Sequence, residues 1–188
     1  YLYSAMADIA AMLREQESGD AYDHAIDRLW EDVYSKRAYV TGGLGSVGGT
    51  EAFAEDYVLP NRSAYTETCA SVGAILWNYR MFLKSGDARY LDAFEQTLYN
   101  GFLSGVSVQG DSFFYQNPLE ATARSRNNAR SEYFDVACCP ANLARLMAQL
   151  PGLIYSQRSL SDGSHELLVN LYVDSEADVT IGDATVHI

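Results

Sequence analysis

Three cysteines and a nearby glutamate are the residues whose chemistry the sequence makes most visible. Cys69 follows Glu67 by two positions in a Thr-Glu-Thr-Cys stretch, and Cys138 and Cys139 are adjacent just before a proline. An odd count with two adjacent members is atypical of a secreted disulfide framework, which needs cysteines in pairs. Thiolates and carboxylates are ligands that zinc accepts. If the fold brings the four side chains together, they could therefore form a zinc site.

The positions of these cysteines favour the thiolate over the thiol. A cysteine at or just before a helix N-terminus lies beside unpaired backbone N–H groups and the positive end of the helix dipole. Pro140 fits the first turn of a helix, which places Cys138 and Cys139 at such an end. In an extended stretch, Glu67 and Cys69 would point to one side. The alternative, three buried thiols that act as small apolar side chains, stays open on these residues alone.

The three histidines are not expected to add to this group. His24 is predicted on a helix, His165 in a β turn and His187 in a terminal tail. Each is therefore expected to be structural or to face solvent, and the candidate ligand set contains no histidine.

Glu51 is the second candidate for chemistry. It lies among Gly49, Ala52 and Phe53, where partial loss of solvent would raise the pKa of its carboxyl toward the range of a proton donor. Most glutamates in loops are simply solvated, and the residues alone also allow that interpretation. The 14 tyrosines suit stacking and hydrogen bonding to a sugar, although tyrosines are also ordinary core residues.

A glycine-rich stretch from Gly43 to Gly48 fits the G-x-G-x-x-G pattern of dinucleotide-binding loops. A short β-like segment precedes it, as that motif requires. The residues after it run through Phe53 to a Leu-Pro-Asn turn and do not form the amphipathic helix whose N-terminus would hold a pyrophosphate. A nucleotide cofactor is therefore not predicted.

The composition limits the classes of partner. The 188 residues carry 13 Lys and Arg against 25 Asp and Glu, a net charge of −12, and 48% of them are hydrophobic. This is the profile of a packed chain and excludes overall disorder. The negative charge repels phosphate backbones and anionic membranes, so we predict neither a nucleic-acid nor a membrane partner. Apolar runs also fall short of the roughly 18 residues of a membrane span.

Helical periodicity dominates residues 1–157. Helices are predicted at these positions: two in residues 1–36, then residues 65–84, 88–103 and 140–150. Gly19 is expected to end the first helix, with Asp20 or Ser18 as the cap of the second. Between the second and third helices, residues 38–63 form a long loop of the kind that is usually functional.

An alternation of apolar and polar residues, typical of β-strands, begins near residue 165 and continues through residues 179–186. We therefore predict a mainly α chain with a helical domain over residues 1–157 and the first strands of an incomplete β domain over residues 158–188. Because the chain begins within a helical pattern and ends before a sheet could close, we expect a piece of a longer protein. One basic cluster is expected on the solvated surface: Arg124, Arg126 and Arg130.

Five motifs occur one after another in a characteristic order. They are Tyr-Val-Thr-Gly-Gly (39–43) with Glu-Ala-Phe (51–53), Leu-Pro-Asn (59–61), Ala-Tyr-Thr-Glu-Thr-Cys-Ala (64–70), Leu-Tyr-Asn-Gly (98–101) and Cys-Cys-Pro-Ala-Asn (138–142). In this order and spacing the chain resembles the β-L-arabinofuranosidase family, glycoside hydrolase family 127, over roughly residues 1–175. The resemblance implies about half of an (α/α)6 barrel, followed by the start of a β-sandwich domain.

The resemblance also implies a chemistry. The implied zinc ligands are Glu67, Cys69, Cys138 and Cys139. Cys138 is the implied nucleophile and Glu51 the implied general acid/base of a retaining glycoside hydrolase. Such an enzyme would release β-linked L-arabinofuranose or a similar furanosyl group from a carbohydrate substrate. Family members bind substrate with histidines that precede this part of the barrel, so the chain by itself is expected to be inactive.

Two other functions stay open on the residues alone. One is a non-catalytic helical module with a structural zinc site, which would have no use for Glu51. The other is an isomerase or epimerase on the same helical barrel, which would need a histidine base near the motifs. Reduced, metal-bound cysteines favour a bacterial cytoplasm, and the oligomeric state is not predicted.

Overall fold

The computed structural model describes residues 1–14, 17–121 and 129–188, apart from the side chains of residues 17 and 18. The chain divides into two compact units, Tyr1–Arg145 and Leu146–Ile188. Of the predicted basic cluster, Arg124 and Arg126 lie outside the described residues. Arg130 is exposed, but it donates a 2.7 Å hydrogen bond to the Ser104 carbonyl.

The predicted helices are all present, with shifted ends. They are α1 Leu2–Met12, α2 Glu17–Lys36, α3 Thr68–Ser85, α4 Ala88–Gln96 and α5 Cys138–Gln149. A π-helical turn, Thr97–Phe102, and a 3-10 turn, Leu103–Gly105, continue α4. A second 3-10 turn, Leu150–Leu153, comes directly after α5. Within the described residues, no helix combines the length and the apolar character needed to cross a membrane.

The predicted boundary between α1 and α2 is wrong. Gly19 lies within the first turn of α2, which begins at Glu17, and therefore does not end α1. The backbone at the end of α1 approaches this glycine closely, because a Cβ at Gly19 would lie 2.7 Å from the Leu13 carbonyl carbon. Close packing, and not a helix stop, therefore accounts for this glycine. The later boundary is confirmed: Gly86 ends α3 with φ 73°, and Asp87 caps α4.

Helix α3 is the centre of the first unit. It contacts α1 and α4, and Ile75, Trp77 and Met81 are almost fully buried on it. Asn78 is also buried, and its amide oxygen accepts a 2.7 Å hydrogen bond from the Trp30 indole of α2. A helix that is apolar on most sides is expected in the interior. The buried contacts of α3 with α1 and α4 therefore determine where its first turn lies.

The loop over residues 38–63 contains no helix, as predicted. Two isolated antiparallel bridges fold it, Ala38 with Leu44 and Val47 with Ala52. Lys36 and Arg37, at the end of α2, form ion pairs with Asp56 of the loop. A tight turn thus comes after the glycine-rich stretch, and this excludes the helix that a dinucleotide-binding motif requires.

The second unit consists mainly of two antiparallel hairpins. The strands are β1 Tyr155–Ser159, β2 His165–Val169, β3 Asp178–Ile181 and β4 Ala184–His187. Tyr155 pairs with Val169 in the first hairpin, and Asp178 pairs with His187 in the second. The sequence predicted the second hairpin but missed β1, whose Tyr-Ser-Gln-Arg-Ser sequence lacks the apolar alternation typical of a strand.

Candidate metal centre and catalytic pocket

The predicted metal ligands lie at the starts of two helices. Glu67 is the N-cap residue of α3, with extended dihedral angles of −60° and 140°, and Cys69 lies in the first turn. Cys138 and Cys139 occupy the first turn of α5. The Glu67 carboxylate forms no capping hydrogen bond. It lies instead near Cys138 and Cys139.

These four side chains form one cluster. The Sγ atoms of Cys69 and Cys139 lie 3.3 Å apart, and those of Cys138 and Cys139 lie 3.8 Å apart. Oε1 of Glu67 lies 3.5 Å from the Cys138 sulfur and 3.3 Å from the Cys139 sulfur. All four ligand atoms lie within 4.8 Å of one another. The structure therefore brings together the complete predicted set.

This geometry suits a thiophilic metal ion. Oxygen and sulfur ligands about 2.0–2.3 Å from a tetrahedral zinc ion lie about 3.3–3.8 Å from one another. Four of the six ligand–ligand separations, 3.3–3.8 Å, fall within that range, and the other two do not exceed 4.8 Å. Three soft sulfur donors and one carboxylate also match zinc in chemical type. The residues present therefore fit the metal that the resemblance implied.

The three thiols differ in acidity. The contact of the Cys69 sulfur with the Cys139 sulfur lowers the pKa of Cys69, and the Asn142 amide adds to this effect. The same contact with Cys69, together with burial, raises the pKa of Cys139. Burial also raises the pKa of Cys138. Among the three thiols, Cys69 therefore loses its proton most readily, and a nearby cation would favour ionisation of the other two.

Two polar side chains beside the sulfur atoms were not assigned a role from the sequence. The Tyr115 hydroxyl lies 3.1 Å from the Cys138 sulfur. Asn142 donates a 3.1 Å hydrogen bond to the Cys69 sulfur and accepts a 2.8 Å hydrogen bond from Arg145. Asn142 lies one helical turn after Cys138, a spacing that could have identified it. Tyr115 lies on a separate loop, and only the tertiary structure brings it here.

A cavity of about 460 Å³ adjoins the cluster. Its walls include side chains of the cluster and of the long loop: Glu51, Phe53, Tyr65, Glu67, Cys69, Trp77, Cys138 and Asn142. Aromatic rings and carboxylates at a cavity wall are suited to binding a sugar, because rings stack on its C–H faces and carboxylates accept from hydroxyls. The Trp77 indole N–H is buried and has no hydrogen-bond partner within the described part of the chain.

Glu51 faces this cavity from the long loop. Its backbone has φ 50°, and its Oε1 accepts a 3.2 Å hydrogen bond from the Tyr65 hydroxyl. The residue is exposed, whereas the sequence predicted partial loss of solvent. The prediction of local desolvation is therefore wrong for this chain, because Gly49 beside it leaves open space and does not cover it. Glu51 nevertheless lines the same cavity as Cys138.

The three histidines lie outside the cluster, as predicted. His24 is exposed on α2. His165 and His187 lie on strands of the second unit, where their Nδ1 atoms contact Ser159 and Asp178, respectively. Within the part of the chain that the structure describes, no histidine lines this cavity.

The comparisons with known proteins identify the family. The beta-L-arabinofuranosidase, GH127 catalytic domain family matches residues 5–152. The chain belongs to this family. The resemblance indicated by the five motifs is therefore confirmed.

Individual GH127 relatives agree with this assignment. A non-reducing end beta-L-arabinofuranosidase of Bifidobacterium longum subsp. longum is 34% identical over 190 residues, which is 97% of this chain and 28% of the relative. A solved GH127 beta-arabinofuranosidase is 42% identical with a TM-score of 0.87, over 100% of this chain and 28% of that one. A GH127 beta-L-arabinofuranosidase from Geobacillus stearothermophilus T6 is 39% identical with a TM-score of 0.87, over 100% and 29%.

The GH127 match covers all of this chain but only part of each relative. The chain spans 28% of the length of the curated relative. Its helix-rich first unit and small sheets match the GH127 structures over the whole chain. The cluster of one glutamate and three cysteines could hold a metal ion.

Proposed function

We propose that this chain is the metal-binding part of a retaining glycoside hydrolase that releases β-linked L-arabinofuranose or a similar furanosyl group. The observation that carries the proposal is the cavity that Cys138 and Glu51 share beside the four-ligand cluster. The arabinofuranosidases that this chain is similar to supply the substrate class. The activity belongs to the intact protein, because this chain spans only part of those relatives.

The roles proposed for the site residues depend on their surroundings. Cys138 is the nucleophile, since it lines the cavity and is only half-buried, whereas Cys139 is fully buried. Cys69 also lines the cavity, and the family resemblance is what selects Cys138 over it as the nucleophile. Glu51 is the acid/base. The glutamate and three cysteines of the cluster would hold zinc, which would supply the charge that keeps the thiols deprotonated.

The reaction then proceeds in two displacements. Cys138 Sγ attacks the anomeric carbon while Glu51 gives its proton to the leaving oxygen, so a C–S bond forms as the C–O bond breaks. Glu51, now a carboxylate, removes a proton from water. That proton restores the Glu51 carboxyl, and the water oxygen replaces the cysteine sulfur, which leaves as a thiolate. Two inversions at one carbon give overall retention of configuration.

The fold proposed for the intact protein is that of the same family. We propose that residues 1–157 form the C-terminal half of an (α/α)6 barrel and that residues 158–188 begin a β-sandwich domain. The match of a helix-rich first unit and small sheets to two GH127 structures supports a partial helical barrel followed by β structure, and the bounds at residue 157 are part of the proposal.

A structural zinc site is the second candidate function. Four protein ligands with no open position are typical of structural zinc, and the cluster has four. Such a site would need no acid beside it. Glu51 therefore distinguishes the two functions.

Replacement of Glu51 by Gln in the intact protein tests the proposed function. We expect kcat/KM for an alkyl β-L-arabinofuranoside to fall by about 10²- to 10⁴-fold, the usual contribution of a general acid, while the zinc content stays unchanged. Glu55→Gln, in the same loop, is the matched control and should change the rate less than about twofold. Wild-type rates in the Glu51 variant would exclude Glu51 as the acid and favour the structural site.

A further inference from the structure

The glycine-rich stretch that resembles a nucleotide-binding loop packs against the segment that precedes the metal ligands. A Cβ at Gly48 would lie 3.2 Å from Cδ2 of the Tyr65 ring, and one at Gly43 would lie 3.1 Å from Cγ2 of Thr66. The Thr66 amide donates a 2.8 Å hydrogen bond to the Gly45 carbonyl. The glycines thus allow two backbone segments to approach closely, and the stretch has a structural use in this fold.

Thr66 adopts an unusual backbone conformation next to this contact. Its φ of 38° lies in the left-handed region, which a β-branched residue rarely adopts. The residue is 2% exposed, and its hydroxyl donates a 2.6 Å hydrogen bond to the Asn117 carbonyl. Strain of this kind persists only where surrounding contacts enforce it, and it is concentrated at functional sites. Here the hydrogen bonds of Thr66 to Gly45 and Asn117 hold the backbone between Tyr65 and Glu67 in this conformation.

Tyr65 is the buried residue of the contact between the glycine-rich stretch and the metal-ligand segment. Its side chain is buried at 6% exposure, and the residue lines the cavity. Its hydroxyl donates a 3.2 Å hydrogen bond to Oε1 of Glu51. It stands between the acid/base candidate and a metal ligand.

Glu51 by contrast has little support of its own. It lies at the turn closed by the paired hydrogen bonds between Val47 and Ala52, with its side chain exposed. A glutamate side chain has several rotatable bonds, and ordering it costs conformational entropy. The 3.2 Å hydrogen bond from Tyr65 supplies a fixed point for one carboxyl oxygen.

We propose that Tyr65 is a positioning residue that holds Glu51 in the orientation from which it protonates the leaving group, with the glycine at position 48 allowing the ring to occupy its place. This inference rests on the proposed function, because it assigns a support to the acid/base of that reaction. Tyr65 itself neither gives nor takes a proton in the reaction.

The test compares two substrates of the intact, zinc-loaded protein. A dinitrophenyl β-L-arabinofuranoside has a leaving group that departs without protonation, whereas an alkyl β-L-arabinofuranoside needs the acid. Tyr65→Phe removes only the hydroxyl. We expect it to lower kcat/KM for the alkyl glycoside by about tenfold or more and to change the rate for the dinitrophenyl glycoside by less than about threefold, at unchanged zinc content.

A double variant tests whether Tyr65 acts through Glu51. In the Glu51→Gln background, the further change Tyr65→Phe should alter kcat/KM for the alkyl glycoside by less than about twofold, because the group that it positions is already removed. If Tyr65→Phe lowers kcat/KM in this background by the same factor as in the wild type, the proposal is overturned, because Tyr65 would then act independently of Glu51.

Two neighbouring glycines provide a matched pair of variants. Gly48→Ala would place a methyl group against the Tyr65 ring, whereas a Cβ at Gly49 meets nothing within 4 Å. We therefore expect Gly48→Ala to show the same selective loss on the alkyl glycoside, in smaller measure, and Gly49→Ala to match the wild type. Equal losses on both substrates in Tyr65→Phe and Gly48→Ala would show a merely structural role and overturn the proposal.

The outcomes separate this inference from the proposed function. A wild-type protein that hydrolyses neither glycoside contradicts the proposed function, and the inference with it. A wild-type protein that hydrolyses both, with Tyr65→Phe unchanged on the alkyl glycoside, contradicts the inference alone.

Discussion

Cys69 and Cys139 are separated by 70 residues in the chain, yet their sulfur atoms lie 3.3 Å apart because α3 and α5 begin at the same place. The first turns of two helices therefore converge on one cluster of acidic groups. Helix N-termini favour negative charge nearby. With zinc bound, three thiolates and a carboxylate would carry more negative charge than the ion neutralises, and the two helix N-termini would help to stabilise that excess.

Loss of the Asn142 amide should weaken metal binding. Asn142→Leu removes the hydrogen bond to the Cys69 sulfur. Leucine favours the helical conformation, so α5 should be preserved. Groups that orient a metal ligand typically contribute about 10- to 100-fold to metal affinity. We expect a loss of that size in the zinc affinity, measured by competition with a chromophoric chelator. Gln149→Leu, which replaces an exposed amide on the same helix, is the control, and equal affinities in both variants would contradict the assigned role.

Removal of the metal should destabilise the protein. A ligand that binds only the folded state stabilises it by about 4 kcal/mol when its free concentration is about 1,000 times the dissociation constant. We expect chelation to lower the free energy of unfolding, measured by urea denaturation, by an amount that grows with the zinc concentration of the reference sample. The same chelator should have no effect on Cys139→Ser. An unchanged denaturation midpoint in the wild type would argue against a metal that is bound by the folded state.

The buried Asn78 should be critical for the core of the first unit. Its amide accepts from the Trp30 indole and donates to the Ala74 carbonyl, both within the interior. Asn78→Ala leaves the indole N–H unsatisfied and removes packed atoms, so we expect a loss of about 2–4 kcal/mol in the free energy of unfolding. Asn61→Ala, in an exposed loop, should change it by less than about 0.5 kcal/mol. Similar values for both variants would show that the buried amide contributes little.

Asp32 should contribute to stability in a pH-dependent manner. Hydrogen bonds from Lys36 and Arg37 lower the pKa of its carboxyl below the ordinary value. A lowered folded-state pKa gives stability that is present above the unfolded value of about 3.9 and is lost as the pH falls through the folded value. The difference in unfolding free energy between wild type and Asp32→Asn should therefore be constant above about pH 5 and shrink below about pH 4.

The control for this prediction is Lys36→Met, which removes one of the two cations that lower the pKa of Asp32 and should reduce the change of that difference with pH. A difference for Asp32→Asn that grows as the pH falls would have the wrong sign and would contradict the assigned ion pairs.

The sequence predicted the metal cluster because its ligands are recognisable by residue type. Three cysteines in an acidic chain, with Glu67 two residues from Cys69, have few common uses. The neighbours of Glu51 made it a candidate acid, and the family resemblance then assigned it the acid/base role, since a lone glutamate in a loop is usually only solvated. Helix ends marked by glycine and aspartate, as at Gly86 and Asp87, were also predictable, because these residues stop and cap helices for local reasons.

The sequence could not predict features that depend on contacts between distant segments. Gly19 has the residue type of a helix stop, but its role is close packing against Leu13. Tyr115 gave no signal, because its relation to Cys138 exists only in the folded chain. The solvation of Glu51 also depends on what covers the loop in space. Local residue types therefore predicted the ligands, and tertiary packing decided the environment of the acid.

The central claim is that these four residues hold one zinc ion, and native mass spectrometry of protein purified without added metal tests it most directly. We predict one zinc per wild-type chain, and a lost or weakened ion in Cys69→Ser and Cys138→Ser. A wild-type protein without metal, whose three thiols all react freely with a thiol reagent under native conditions, would contradict this claim.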